Sequence, residues 1–186
     1  MIVNWPNSLT LLRVALIPIL VLVFFSDLEL RFELASLIFI VAALTDWLDG
    51  YLARRLDQTT SFGAFLDPVA DKLMVTVAII LLIHQQQSSL FTVAGCIIVA
   101  REILVSALRE WMSEIGQRTS VRVSWLGKLK TTVQMTAMIV LLALDPIEGS
   151  VMLYLLGYAL FMLAALLTIW SMCLYLLAAR RAMANR

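Results

Sequence analysis

Apolar residues in this chain fall into six long runs, Leu9 to Phe25, Phe32 to Leu52, Val69 to Ile83, Leu90 to Arg109, Leu126 to Leu144 and Val151 to Ala179. A helix needs about 20 mostly apolar residues to cross a bilayer, and lipid leaves no other way to satisfy the backbone of an isolated segment. The expected fold is therefore an all-α integral membrane protein with six transmembrane helices and a short N-terminal interfacial segment. Six crossings of about 20 residues occupy most of the 186 residues, so residues 1–186 are expected to form a single membrane domain. No room remains for a large soluble catalytic domain. With 62% hydrophobic residues and a formal net charge of +1, the chain offers no general case for nucleic-acid binding. Cys96 and Cys173 lie far apart inside apolar runs, without metal-ligand spacing.

The first run has no basic residue before it and no small-residue cleavage site before Asp27, so it is expected to remain as a helix. Ahead of it, Trp5-Pro6-Asn7-Ser8 combines an interfacial aromatic, a proline and an N-cap candidate, which predicts entry along the membrane surface. No internal repeat is visible. Alternating the runs through a bilayer puts the connections 26–31, 84–89 and 145–150 on one side, and these contain one basic residue, Arg31. The other basic residues fall on or near the opposite side, with Arg13 joining them if the first helix is half submerged. The positive-inside rule makes that side cytoplasmic, with both termini.

The richest stretch runs from Asp46 to Asp71. Asp46 and Asp49 are three residues apart at the end of the second run; Asp67 and Asp71 are four apart at the start of the third. Each pair shares one face of a helix, and a connection from Arg54 to Phe62 allows the pairs to converge. Four facing carboxylates repel unless cations lie between them, and an all-oxygen set suits two ions of Mg²⁺ or Mn²⁺. The plainer reading is that individual aspartates are helix caps or solvated loop residues. Asp57 fits that reading, and Asp67 before Pro68 looks like an N-cap with proline at N1. Gly50, Ala53 and Gly63 lie next to the acids or a turn away, where small side chains admit a neighbouring helix or a flat ligand. Arg54 and Arg55 add donors for a phosphate, or serve as positive-inside anchors.

The pattern D-x2-D-G-x2-A-R-x8-G-x3-D-x3-D resembles the signature of the CDP-alcohol phosphotransferases. All eight fixed positions are filled, by Asp46, Asp49, Gly50, Ala53, Arg54, Gly63, Asp67 and Asp71. Further similarity lies in N-W-P-N-S-L-T-L-L-R from Asn4, L-D-P-V-A-D-K-L-M from Leu66, A-R-E-I-L-V-S-A-L-R-E from Ala100 and L-G-K-L-K-T-T-V-Q-M from Leu126. Those segments look like the branch of the family that uses glycerol 3-phosphate as acceptor.

The resemblance implies a six-helix fold, commonly a homodimer, in the cytoplasmic membrane of a bacterium with its site open to the cytoplasm. The reaction it implies joins CDP-diacylglycerol and sn-glycerol 3-phosphate to give phosphatidylglycerophosphate and CMP. Asp46, Asp49 and Asp67 would hold the metals, and Asp71, also near them, would be the general base. Gly50 and Ala53, with Gly63 close by, would accommodate the nucleotide, and Arg54 would contact the diphosphate. The acceptor's phosphate needs a second cationic pocket, for which Lys128 and Arg109, then Arg118, are the first candidates. Arg101, Arg122 and Lys130 lie in the same region, and Glu102 beside Arg101 can neutralise it. His84, in a connection on the outer side, takes no role. A metal-dependent prenyltransferase would not require the G-x2-A-R element, and an ion-coupled transporter would show inverted repeats and acids near the bilayer centre. Serine, inositol phosphate or a second phospholipid as acceptor would leave the metal motif unchanged.

Overall fold

The computed structural model describes residues 5–56, 61–114, 125–146 and 149–184; the side chains of 5–7, 47, 49–56, 61, 62, 64, 109, 113, 114, 125–128 and 178–184 lie outside the description. The described residues form six helices and no strand: α1 (Trp5–Phe24), α2 (Arg31–Leu56), α3 (Ser61–Gln86), α4 (Ser89–Glu114), α5 (Trp125–Leu142) and α6 (Val151–Ala184). Each lies on one of the six apolar runs. Ser89–Met112 of α4 and Val151–Leu177 of α6 are long and apolar enough to cross a membrane, while Ser8–Phe24 and Leu129–Leu142 are shorter apolar helices. On α6 the large side chains Leu153, Leu155, Leu156, Leu166 and Trp170 are exposed, where a helix facing water carries polar residues.

Three local expectations are corrected. Helix α1 begins at Trp5, so Asn7 and Ser8 stand within the helix, not at its cap, and Pro6 takes the second position, where a missing N–H costs little. Helix α3 begins at Ser61, which makes Asp67 an interior residue and puts Pro68 inside the helix, where it cannot bond the Ala64 carbonyl. Helix α2 continues to Leu56, so the connection to α3 is shorter than Arg54 to Phe62 and Asp57 lies outside the described residues. The common reason is that an apolar run ends where side chains turn polar, whereas backbone hydrogen bonding continues past that point.

The chain divides into two compact units, one of residues 1–85 with 139–150, the other of residues 86–138 with 151–186. In the first, each helix buries one stripe. On α1 it reads Thr10, Arg13, Leu20, Phe24; on α2, Phe32, Ala35, Phe39, Ala42, Thr45; on α3, Gly63, Ala70, Met74, Ala78. On α1 and α2 these stripes are apolar toward the connection that joins the two helices and end in Thr10, Arg13 and Thr45 toward the opposite end. The Phe24 and Phe32 rings meet edge to face at 5.9 Å, and the Arg31 guanidinium lies 4.7 Å over Phe32. Ser36 Oγ donates to the Ile139 carbonyl at 2.9 Å, and Gln85 Nε2 to that of Leu144 at 2.9 Å.

In the second unit α4 packs along α6. Phe91 stacks on Phe161 with centroids 4.1 Å apart, and Val105, Met112 and Tyr175 form a buried cluster with Leu108 against it. The buried stripe of α5 here is Lys130, Gln134, Ala137 and Met138.

Candidate active site

The polar end of the α1 stripe meets acids of α2 and α3. Thr10 and Arg13, three residues apart on α1, face Asp67 and Asp71, four apart on α3: Thr10 Oγ1 donates to Asp67 Oδ1, and Arg13 Nη1 to Asp71 Oδ1. The same Arg13 nitrogen lies 3.2 Å from Asp46 Oδ1 on α2. Asp46 stands one turn beyond Ala42 and two beyond Phe39, so the stripe that packs the core also delivers the first acid. The Arg13 side chain is 1% exposed, against 49% for Asp46 and 43% for Asp71. A sealed cation thus lies behind two carboxylates that are open on their other side. Gly63 is buried one turn before Asp67.

The expected meeting of the α2 and α3 acids is found for Asp46 and Asp71, both on Arg13, with Asp67 beside them on Thr10. Asp49, Gly50, Ala53 and Arg54 are on α2, but their side chains lie outside the described residues. Among the described residues no three acidic, histidine or cysteine side chains are grouped closely enough to hold one ion. Arg13 and Thr10 are the site residues that the aspartate pattern missed. Their signal was available: an arginine inside an apolar run is expensive unless paired, and a threonine one turn away extends the same face.

A second charged cluster lies in the other unit. Arg101 on α4 donates from Nη1 to Glu102 Oε1 at 3.2 Å and from Nη2 to Ser171 Oγ on α6 at 3.3 Å, with its guanidinium 5.6 Å from the Tyr175 ring centroid. Lys130 Nζ of α5 donates to the same Glu102 oxygen. Glu102 does neutralise Arg101, as expected from their adjacency, but it also takes Lys130, so two buried cations share one carboxylate. Lys128, Arg109 and Arg118 lie outside the described residues or carry side chains that do. His84 packs against the ring of Phe25 at 5.2 Å.

The sequence model of the CDP-alcohol phosphatidyltransferase family matches residues 3–179, nearly the whole chain. The chain belongs to that family. Among its relatives, a protein of Escherichia coli (strain K12) is 52% identical over 177 residues, which cover 95% of each chain. Proteins of Shigella flexneri serotype 5b (strain 8401) and Shigella boydii serotype 4 (strain Sb227) match at the same 52% identity and 95% coverage. All three are named CDP-diacylglycerol–glycerol-3-phosphate 3-phosphatidyltransferase. Membership of the CDP-alcohol phosphatidyltransferase family leaves the prenyltransferase and transporter readings without support.

Proposed function

We propose that this protein transfers the phosphatidyl group of CDP-diacylglycerol to sn-glycerol 3-phosphate, giving phosphatidylglycerophosphate and CMP in anionic phospholipid synthesis. The observation that carries the reading is 52% identity across 95% of the chain to proteins named for that reaction. The convergence of Asp46 and Asp71 on Arg13 supports it independently, because acids of both halves of the signature meet at one point.

In this reading Asp46, Asp49 and Asp67 hold two Mg²⁺ or Mn²⁺ ions, with Asp71 beside them. The residues fit such ions: the donors are carboxylate oxygens, two of the acids already gather around a cation, and both remain about half exposed. When bound, the ions offset the negative charge that builds on the diphosphate and the departing CMP. Gly50, Ala53 and Gly63 leave room for the cytidine nucleotide, and Arg54 donates to the diphosphate. Asp71 accepts the proton of the acceptor hydroxyl as its oxygen attacks the β-phosphorus and the bond to CMP breaks. Lys128 and Arg109, with Arg118, hold the acceptor's own phosphate.

The chain is read as one membrane domain with six spans, acting as a homodimer in the bacterial cytoplasmic membrane. Both termini and the site face the cytoplasm, which the scarcity of Lys and Arg in 26–31, 84–89 and 145–150 supports. The lipid's tails then stay in the bilayer while its diphosphate reaches the acids. The test offers purified protein CDP-diacylglycerol with glycerol 3-phosphate, serine or inositol phosphate in turn and measures CMP release. CMP should appear with glycerol 3-phosphate alone and stop when a chelator is added. Release with serine instead would assign another acceptor.

A further inference from the structure

Arg13 stands outside the signature, yet among the described residues of the site it is more deeply buried than the acids it meets. One of its nitrogens touches an oxygen of Asp46 on α2 and an oxygen of Asp71 on α3. Because one nitrogen reaches both, those two oxygens lie within about 6 Å of each other. Thr10, a turn away, holds Asp67 in the same manner, so α1 presents a donor to each acid of α3. A counter-ion serving charge balance alone need only be near the acids. A planar guanidinium sealed in the core and shared between two helices also fixes where their carboxylates stand.

We propose that Arg13 is a positioning residue for phosphatidyl transfer: it pins one oxygen of Asp46 and one of Asp71 and so sets how both carboxylates face metal and proton. This rests on the roles given above to Asp46 and Asp71. Because one oxygen of Asp71 is committed to Arg13, Asp71 is kept from closing onto the ions as a full ligand. Arg13 is also a fixed positive charge beside the acids, in competition with any divalent ion there.

Removing the guanidinium therefore acts in opposite directions on two measurable quantities. Divalent binding tightens, because a neighbouring positive charge is gone. Turnover falls, because the acids lose their register. A residue needed only for folding would lose both together, and a plain counter-ion would be replaced in full by lysine.

The experiment uses the full-length protein in detergent, as wild type, Arg13→Gln and Arg13→Lys. Mn²⁺ affinity is read without substrates by electron paramagnetic resonance, and kcat and KM are measured for CDP-diacylglycerol and glycerol 3-phosphate. Arg13→Gln should bind Mn²⁺ about 3–10-fold more tightly. Its kcat should fall about 100-fold, as for a catalytic group displaced by about an ångström, with both KM values within about threefold of wild type. Arg13→Lys, which keeps the charge but not the planar head or its reach, should restore wild-type Mn²⁺ affinity and remain at least about tenfold down in kcat. Wild-type turnover in Arg13→Lys overturns the proposal, and that variant decides the matter if Arg13→Gln does not fold. Parallel loss of Mn²⁺ binding and turnover in a folded Arg13→Gln protein overturns it as well. Failure of the metal reading looks different: wild-type protein would bind no Mn²⁺ and stay active with chelator, and Arg13 would then stand or fall on the kcat and KM split alone.

Discussion

Glu102 accepts from Arg101 and Lys130, both nearly sealed from solvent, so its charge lies between two cations in the interior of its unit. Removing one partner of a buried ionic group leaves charge uncompensated, which costs about 3–5 kcal/mol. Glu102→Gln should accordingly lower the unfolding midpoint in detergent far more than Glu110→Gln, an exposed neighbour on the same helix. Equal midpoints would mean that the cluster is not a folding element. At the other site the acids carry the opposite expectation. Asp46→Asn, Asp49→Asn and Asp67→Asn should each cut turnover by several orders of magnitude, on the order of 10³ or more, while the metal-free protein stays folded, since fewer charges repel. Asp57→Asn should remain close to normal. An essential Asp57 with a dispensable Asp46 would dismantle the constellation. The acids of this site were legible because their spacing repeats a helical turn on two adjacent elements. Arg13 was legible only as an anomaly: a charge inside an apolar run calls for a partner, but the letters around it do not name that partner.

Between α3 and α4 only Gln87 and Ser88 intervene, and Gln87 has φ of 45°. That position, just past a helix end, is one where glycine is normally found, because a side chain in the left-handed region costs about 1–2 kcal/mol. Gln87→Gly should stabilise the protein by a modest net amount, about 0.5–1 kcal/mol once glycine's own entropy is set against the relief. Gln87→Val should destabilise it, since a branched side chain is strained there. Thermal midpoints of the two variants should move in opposite directions; movement in one direction would remove the strain argument. The connection before α6 is shaped differently: the Gly149 N–H bonds the Asp145 carbonyl at 2.9 Å, and a Cβ at Gly149 would strike that same oxygen. At this scale the six helices were readable from apolarity, but their ends were not. Ser8 and Asp67 look like caps by residue type, and each lies inside a helix whose backbone begins earlier, at Trp5 and Ser61. Asp67 is used sideways, toward Thr10 of α1.

For the whole chain the proposed orientation rests on the separation of charge along the sequence. Single cysteines placed in 26–31, 84–89 or 145–150, in a background lacking Cys96 and Cys173, should react with an impermeant thiol reagent in intact cells. Labelling at position 57 or 118 instead would invert the topology. The tie between Arg13 and the acids has a bearing on how such a chain is made. Helix α1 leaves the ribosome before α2 and α3 exist, so for that interval its arginine has neither Asp46 nor Asp71 to meet. An unpaired arginine within a helix opposes insertion, by about 2.5–3.5 kcal/mol at the bilayer centre and by less toward its edge. The first helix should therefore wait at the translocon or the membrane surface and commit to the bilayer together with α3. Nascent chains stopped after Leu30 should show α1 poorly inserted, chains extended beyond Gln86 should show it fully inserted, and Arg13→Leu should erase the difference. A site that brings a cation and its acids from three helices thereby also sets the order in which those helices can enter the membrane.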